Sequence, residues 1–287
     1  MRVSFLLLVF TLLISQTTYA QLERKRTITD SPEEIYLTMS LITMSTSSNL
    51  EKNNMNSTIM HSFGLVSTGI EEFWGLDQGA AVRLGIDYGI TDKLSVGIGR
   101  TNREDNVDLR FKYTFLQQMR SGKIPVEVSI KGDVGINTQK ENRYDPSFQD
   151  RLNYFGSLTV ARKFTEKFSF QVAPMISHFN TIVIETAEQD LVNNHYAAGF
   201  GGEFRLNLNH SFSFEYFLVV GDRNNNTENP MAVSWQIDTG GHVFQIFFMN
   251  GNWFTEQHLL ARTTEDFFAR DFRLGFNVNR VFGIGGK

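Results

Sequence analysis

Val107-Asp-Leu-Arg-Phe-Lys-Tyr-Thr-Phe115 alternates without a break between apolar and polar side chains. In a β-strand, successive side chains point to opposite faces, so as a strand this stretch has one apolar face and one charged face. As a helix, the same sequence would spread both kinds of side chain around the whole surface. The alternation therefore predicts a β-strand at this position of the 287-residue chain.

The same period of two continues on both sides of this strand along most of the chain. Further alternating runs lie at residues 58–65, 82–90, 94–98, 124–136, 152–164, 168–179, 196–206, 212–220, 231–237, 243–249 and 272–282. Many of them are longer than the ~5–6 residues of an ordinary globular strand. They approach the ~9–11 residues that a tilted barrel strand needs to cross a membrane. We therefore predict an all-β fold, a transmembrane up-and-down antiparallel β-barrel of about 12 strands.

The connections between the runs alternate in length as well. Short connections lie at residues 91–93, 165–167, 207–210 and 239–241, and long polar ones lie at 137–150, 180–194, 221–229 and 251–269. Short turns at one rim and long polar loops at the other are typical of outer-membrane barrels. An even number of strands places both ends of the barrel at the short-turn rim, which faces the periplasm in bacterial barrels.

The segment before the first strand has two interpretations. Residues 36–45 alternate in part and would add a strand to the wall, giving about 14 strands if a further strand lies near residues 254–262. Alternatively, Ser31 as N-cap and Pro32 in the first turn predict a short helix outside the wall. We therefore divide the chain into a signal peptide (1–20), an N-terminal segment (21–57) that forms a short helix or an extra strand, a β-barrel (58–282) and a C-terminal tail (283–287).

The first residues have the pattern of an export signal. Arg2 precedes an apolar run from Val3 to Ile14, and the small residues Thr18 and Ala20 occupy the positions that a signal peptidase recognises. The apolar run is shorter than a membrane-spanning helix requires. We expect cleavage near Ala20, and we expect the mature chain in the outer membrane of a Gram-negative bacterium.

Composition and spacing argue against several other functions. The chain has no cysteine, which excludes disulfides and thiolate zinc sites. Its net charge of −4 argues against nucleic acid as a partner. The histidines lack metal-ligand spacing, and the strand phases of His178 and His195 point these two side chains to opposite faces. The sequence has no nucleophile elbow and no phosphate-binding loop in a suitable setting. We predict that the chain is not an enzyme and has no catalytic residue, metal or cofactor.

The two faces of the predicted strands suit different surroundings. The apolar sets are rich in Phe and include residues suited to a membrane interface, namely Tyr88, Tyr113, Tyr154, Tyr196 and Trp235. In a membrane barrel, these sets face lipid and the polar sets face the lumen. The lumen-lining candidates are Arg83, Asp87, Asp108, Arg110, Lys112, Glu127, Lys131 and Asp133. Later strands add Glu203, Arg205, Glu215, Asp238 and Arg273. These charges form either a polar pathway for solutes or an ion-pair ladder that fills the interior.

Four blocks of the sequence resemble one protein family. They are Gly75–Arg100, which begins Gly-Leu-Asp-Gln, then Ala161-Arg-Lys-Phe164, Ile237-Asp-Thr-Gly-Gly-His-Val-Phe-Gln245, and Phe272–Phe282. Together they resemble a β-barrel family of unknown function from the outer membranes of Gram-negative bacteria, over roughly residues 58–282. The resemblance implies a barrel in that membrane. It implies no established activity, so no functional residue is carried over from it.

The sequence therefore supports three functional interpretations. The leading one is a passive channel or transporter for small solutes, with outer-membrane lipid, the barrel assembly machinery and a small solute as partners. The first alternative is a structural or surface-interaction barrel with a plugged lumen. The second alternative is a soluble periplasmic barrel that binds a ligand inside.

Overall fold

The structure of the chain is a computed structural model that describes residues 30–139, 147–181 and 192–284. The described residues form twelve strands. The strands are β1 (Asn54–Leu65), β2 (Ala81–Thr91), β3 (Leu94–Thr101), β4 (Val107–Leu116), β5 (Glu127–Ile136), β6 (Leu152–Lys163), β7 (Phe168–Phe179), β8 (Asn194–Arg205), β9 (His210–Val220), β10 (Met231–Asp238), β11 (Val243–Met249) and β12 (Arg273–Gly283).

The strands form a closed barrel. Each strand pairs antiparallel with the next one along the chain, and β1 pairs with β12, which closes the sheet. The prediction of an all-β, up-and-down barrel with twelve strands is confirmed. Closure matters physically because a barrel has no open edge, so its backbone groups are paired where water is absent.

The strands bury their polar face and expose their apolar face. In β4, Asp108 and Lys112 are 1% and 4% exposed, whereas Leu109 and Phe111 are 63% and 47% exposed. The same inversion recurs around the barrel, where the exposed apolar side chains include Leu84, Ile98, Ile176, Tyr196, Phe212, Trp235 and Ile246. This arrangement is that of a barrel whose outside contacts lipid, and it is the reverse of a soluble barrel.

Residues 30–53, which we call the plug, differ from the prediction. They form neither the short helix nor the extra wall strand expected for this part of the chain, and the wall begins at Asn54 rather than at residue 58. The plug lies inside the barrel instead, where Ile35, Leu41 and Met44 are fully buried. Sequence periodicity gave a wrong result here because these apolar residues are buried by the wall around them and not by a sheet or helix of their own.

The region near residues 254–262 also differs from the prediction of a further strand. It contains a short helix, α1 (Glu256–Arg262), with an acidic residue in its first turn and a basic residue in its last. α1 belongs to the β11–β12 loop, residues 250–272, and it contacts β6, β7 and β8. In the part of the chain that the structure describes, no helix is long and apolar enough to cross a membrane.

A 3-10 segment, Val66–Gly75, follows β1 at the rim of long loops. Gly75 has a φ of 82°, and a Cβ at this position would lie 2.4 Å from the carbonyl carbon of Gly64. Both features require glycine at the point where the chain turns back towards β2. Of the remaining predicted segments, the signal peptide and the last three residues of the tail lie outside the described residues.

Candidate functional site

The plug is a hairpin suspended from the short-turn rim. On its way in, the amide of Glu33 donates to the carbonyl of Gln118 at 2.7 Å, and on its way out, the amide of Asn53 donates to the carbonyl of Gly89 at 2.8 Å. At the tip, the amide of Leu41 donates to the carbonyl of Met44 at 2.9 Å. The plug therefore enters and leaves at one rim and turns in the middle of the lumen.

A single carboxylate holds the tip of the plug. Glu215 of β9 is 1% exposed and accepts hydrogen bonds from the backbone amides of Ile42, Thr43 and Met44 at 3.0, 3.0 and 2.9 Å. The hydroxyl of Thr43 donates to the same carboxylate. Successive amides that converge on one anion form a nest, and hydrogen bonds to a charged acceptor are stronger than neutral ones. Glu215 is thus the main polar anchor of the plug.

Donors from several strands hold the carbonyl groups of the plug. Lys112 of β4 donates from Nζ to the carbonyl of Thr46 at 3.2 Å. Side-chain amides bind three more carbonyls: Gln171 binds Ser45 at 2.9 Å, Gln245 binds Leu41 at 2.5 Å, and Asn277 binds Ile42 at 3.2 Å. A segment without secondary structure needs partners of this kind because its buried backbone groups would otherwise be unsatisfied.

The β11–β12 loop enters the lumen from the opposite rim and meets the plug. The carboxylate of Glu256 accepts a hydrogen bond from the amide of Ser45 at 2.8 Å. The same carboxylate contacts the ammonium of Lys131, which also binds Asp133 at 3.0 Å. One side chain of α1 therefore connects the plug to the charged residues of β5.

The outer half of α1 is embedded in an aromatic and cationic cluster. Trp253 stacks on His258 at 4.8 Å, and the guanidinium of Arg262 lies 5.2 Å from the rings of both Trp253 and Phe179. Arg262 also forms an ion pair with Glu104. His258 is fully buried, and this burial lowers the pKa of its imidazole to about 3, so the ring is neutral at physiological pH.

One side of the lumen holds an apolar cluster, which lies beside the polar anchors of the plug. Plug residues Leu41 and Met44 belong to a buried cluster with Met175 of β7, Phe217 of β9 and Phe247 of β11. The cluster continues to the β11–β12 loop through Phe254, Leu259 and Leu260. Glycines in β8 make room for it, since a Cβ on Gly201 would lie 2.3 Å from Cδ1 of Leu41. Both insertions are therefore held by apolar packing against β7–β11 as well as by hydrogen bonds.

The other side of the lumen is charged. Arg83 of β2 binds Asp108 of β4 through two hydrogen bonds of 2.6 and 2.7 Å. Arg110 bridges Asp108 at 2.6 Å and Asp87 at 2.8 Å. These four side chains alternate in sign across β2 and β4 above the glycines of β3, and a Cβ on Gly97 would lie 2.0 Å from Oδ1 of Asp87. Burial of so many charges requires such pairing.

Two cavities follow the charged side from the short-turn rim to the middle of the barrel. The outer one, which we call the vestibule, has a volume of about 540 Å³ and lies between the plug and the wall. The inner one, which we call the chamber, has a volume of about 80 Å³ and is lined by Arg83, Asp87, Arg110, Lys112, Lys131, Asp133 and Glu256, among others. Met39 and Asn56 line both cavities. They mark the neck between vestibule and chamber.

The structure brings most of the predicted lumen-lining residues together. Six of the eight line the chamber, Asp108 is buried beside it in the ion pairs with Arg83 and Arg110, and Glu127 lines the vestibule. Of the residues from later strands, Glu203 pairs with Arg205 at 2.9 Å, Arg273 pairs with Glu265, and Asp238 lines the vestibule. The role of these lumen-lining residues in solute passage stays a prediction. Glu256 was not predicted from the sequence, because its position depends on the path of the long β11–β12 loop.

No metal site is present in the part of the chain that the structure describes, where no three His, Asp or Glu side chains are grouped to hold an ion. His195 of β8 is 1% exposed and points into the barrel, whereas the ring of His178 of β7 lies 6.1 Å from the ring of Tyr154 on the outer face. The two histidines therefore lie on opposite faces of the wall.

The closed wall, its apolar outer face and its polar interior define the chain as a membrane-bound β-barrel with a filled lumen. A family model described as membrane bound beta barrel domain (DUF5777) matches residues 36–282. This match covers most of the chain, and the chain belongs to this family. The family excludes the soluble periplasmic barrel, and the resemblance seen in the sequence blocks is confirmed.

Several solved outer-membrane barrels are similar to the chain in fold. The NanC porin has a TM-score of 0.50 at 9% identity and covers 80% of this chain and 100% of its own. The COG4313 outer membrane channel from Pseudomonas putida F1 has a TM-score of 0.49 at 13% identity and covers 82% and 98%. The KdgM porin has a TM-score of 0.47 at 9% identity and covers 81% and 99%. No curated protein matches the chain in sequence. At 9% identity, the likeness to the NanC porin shows a shared fold alone.

Proposed function

We propose that the chain is an outer-membrane channel for small polar solutes, closed in the state described here by the plug and the β11–β12 loop. The observation that supports this proposal is the division of the lumen into two sides. Apolar packing holds the plug against β7–β11, while the vestibule, the neck and the chamber follow one another along the charged side. A polar path lined by charges of both signs is suited to small hydrophilic solutes.

The path is closed at two places, and both closures are local. At the neck, Met39 of the plug lies between the two cavities. At the far end of the chamber, Phe254, Thr255 and Glu256 of the β11–β12 loop cover it. The second closure depends on the contacts of one carboxylate with Ser45 and Lys131. Opening of the path therefore requires movement of the plug at Met39 and of the β11–β12 loop, and not of the wall.

One observation favours a second candidate, a structural or surface-interaction barrel with a permanently plugged lumen. The apolar cluster that contains Leu41, Phe217 and Leu259 joins the plug, the wall and the loop into one core. Burial of such side chains stabilises by about 1.5–3 kcal/mol each. In this second candidate, the charged residues only neutralise one another, and no solute passes through the barrel.

Single-channel conductance of the refolded barrel in a planar bilayer distinguishes the two candidates. We compare the wild type with Glu256→Ala, which removes the contacts of α1 with Ser45 and Lys131, and with Glu166→Gln in an exposed turn as the control. Heat-modifiable gel mobility verifies that each protein is folded. A channel gives discrete steps that become more frequent in Glu256→Ala, with the control unchanged. Silence from all three folded proteins refutes the channel and supports the plugged barrel.

The remaining parts of the proposal concern the setting of the barrel. We infer that the chain is exported with a signal peptide cleaved near Ala20 and that the barrel assembly machinery inserts it into the outer membrane. The short-turn rim then faces the periplasm, which places the vestibule on the periplasmic side. Mass determination of the mature protein from an outer-membrane fraction tests the cleavage site and the location together.

A further inference from the structure

We propose that the vestibule binds a small organic cation, of the class of primary amines and diamines. This proposal concerns a binding site and goes beyond the channel, since the site would exist in a barrel that never conducts. Four observations support it: the sign of the charges that line the cavity, the lack of cationic partners for several of them, two buried acceptor atoms without a donor, and the apolar surface between them.

The charged side chains that line the vestibule are acidic. They are Glu33, Glu34, Glu51, Glu127 and Asp238, and the described lining includes His242 but neither lysine nor arginine. The chamber, in contrast, is lined by cationic and acidic side chains together. A cavity with low-dielectric walls that carry charges of one sign concentrates ions of the opposite sign. The vestibule therefore favours cations over anions.

Only part of this negative charge is neutralised by the protein. Glu33 pairs with Lys163 at 2.8 Å, and Glu34 pairs with Arg205 at 3.3 Å. Over the described ranges, Glu51, Glu127 and Asp238 form no ion pair with Lys, Arg or His within 4 Å. Three carboxylates thus remain for a cation from solution.

At the inner end of the vestibule, two buried acceptor atoms lack a donor. Glu127 is 4% exposed, and its Oε1 accepts no hydrogen bond of normal geometry from the described residues, although the hydroxyl of Ser47 lies near this carboxylate. Asn56 is 2% exposed, and its Oδ1 is equally without a partner, while its Nδ2 donates to Thr58 at 3.0 Å. An ammonium group has three donors and no acceptor, so it can satisfy either of these atoms. A buried acceptor without a hydrogen bond lowers the stability of the fold, and binding of a donor such as an ammonium group removes this penalty.

The other buried polar groups at this cavity that lack a hydrogen-bond partner are compatible with the same ligand. The hydroxyl of Tyr36 is buried without a partner, and it can accept from an amine. Nδ2 of Asn279 is a buried donor without a protein partner, which a water molecule can accept. Leu37, Leu50 and Val243 add apolar surface to the lining. Polar groups separated by apolar surface suit an alkyl chain that carries amines.

The size of the cavity agrees with this class of ligand. At about 540 Å³, the vestibule falls within the ~300–1,000 Å³ of typical small-molecule sites. The carboxylates extend from the exposed Glu34 and Glu51 at the rim to the buried Glu127 inside. A diamine can therefore place one ammonium at a buried acceptor, Glu127 or Asn56, and the other at the carboxylates nearer the rim.

Isothermal titration calorimetry on the refolded, full-length barrel in an uncharged detergent tests the proposal. The probes are 1,4-diaminobutane, 1,4-butanediol as the uncharged analogue and succinate as the anionic one, all at constant ionic strength. We expect saturable heat from the diamine only. In Glu127→Gln, the diamine should bind at least about tenfold more weakly, because a charge-assisted hydrogen bond is lost. Since Oε1 accepts no hydrogen bond of normal geometry, this substitution breaks no such bond of that atom.

The control variant is Glu166→Gln, which removes a carboxylate from an exposed turn outside the vestibule and should leave binding unchanged. If Glu127→Gln fails to fold on a heat-modifiability gel, Asp238→Asn provides the same test nearer the rim. Equal binding by wild type and the folded variants, or equal heat from diol and diamine, overturns the proposal. Binding is measured without conductance, so a barrel that binds but does not conduct refutes only the channel. A barrel that conducts but does not bind refutes only this site.

Discussion

The amide of Ser45 donates a 2.8 Å hydrogen bond to the carboxylate of Glu256, although the two residues are 211 positions apart in the chain. Ser45 lies at the tip of the plug, which enters from the short-turn rim. Glu256 begins α1, which enters from the rim of long loops. Two segments without a role in the wall thus meet inside it, and their contact closes the chamber.

Glu215 should control whether the plug stays docked. Glu215→Gln replaces a charged acceptor of three amides and one hydroxyl by a group that also carries donors, so at least one of these bonds is lost. Hydrogen bonds to charged groups are worth about 1.5–3 kcal/mol. We expect faster cleavage of residues 30–53 by proteinase K in a barrel that stays heat-modifiable. Glu166→Gln serves as the control, and an unchanged cleavage rate in Glu215→Gln would argue against the anchoring role.

Gly201 should be required for the plug and not for the wall. In Gly201→Val, a Cβ would lie 2.3 Å from Cδ1 of the fully buried Leu41. Overpacking of this kind costs about 1–3 kcal/mol, and here displacement of the plug relieves it. We expect increased protease access to the plug together with normal barrel mobility on a gel.

The matched control for this substitution is Gly156→Ala in β6. Its Cβ would meet only Cγ2 of Ile176 at 3.6 Å, an ordinary contact distance. Equal protection of the plug in both variants would contradict the assigned contact between Leu41 and β8.

Arg110 should govern ion selectivity if the chamber belongs to the solute path. Arg110→Glu places a third carboxylate beside Asp87 and Asp108 and removes the cation that pairs with both. In an open pore, the reversal potential in a salt gradient should shift towards cations. The free energy of unfolding should fall by about 3–5 kcal/mol, because a buried ion pair is broken.

The control for Arg110 is Arg100→Glu, which changes the same charge at a side chain that is 59% exposed. It should leave selectivity unchanged. A conducting Arg110→Glu barrel with wild-type selectivity would remove the chamber from the path.

Acid should release the β11–β12 loop. Burial lowers the pKa of His258 to about 3 from an ordinary value of 6.5. Because the folded pKa is the lower one, the released state binds more protons, and docking weakens as pH falls from 6.5 towards 3. Glu104 lies 3.6 Å from Nε2 and the hydroxyl of Thr255 lies 2.7 Å from Nδ1, while the charges of Asp108 and Arg83 act on the ring with opposite effects. Trp253 stacks on it, so its fluorescence should change over this range of pH.

His258→Phe provides the comparison for this experiment, since phenylalanine keeps the aromatic stacking and has no proton to gain. We expect the fluorescence transition to be lost or moved to lower pH in this variant. An identical transition in both proteins would assign the acid response to another group. Trp74 and Trp235 are replaced by Phe in both proteins to isolate the signal.

The wall was predictable from the sequence because the alternation of side chains within each strand reflects the two environments of that strand, lipid and interior. In Val107–Phe115, every second side chain faces lipid and every other one faces the interior, so the alternation needs no information from elsewhere in the chain. The short turns are equally local. Twelve strands, their order and the identity of the buried charges therefore followed from the sequence.

The filling of the barrel was not predictable in the same way. Leu41, Ile42 and Met44 are buried by contacts with strands that lie far away in sequence, and their backbone is held by side chains such as Glu215 and Gln245. No periodicity marks a segment whose partners are distant. The weak alternation of residues 36–45 suggested a strand that does not exist, and it does not follow the burial, since Thr38 is buried whereas Leu37 and Met39 are half-buried. Glu256 was missed for the same reason, since nothing near it in sequence indicates the lumen.

The pairing of β1 with β12 also has a consequence for biogenesis. The plug is covalently continuous with β1, and the loop that carries α1 is continuous with β12. These two strands have the greatest sequence separation of any neighbours in the wall, so their pairing carries the highest entropic cost and is expected to form last. Both interior segments are therefore tethered to the seam itself. We expect the plug and the β11–β12 loop to enter the interior while this seam closes, so that no sealed but empty barrel forms during assembly.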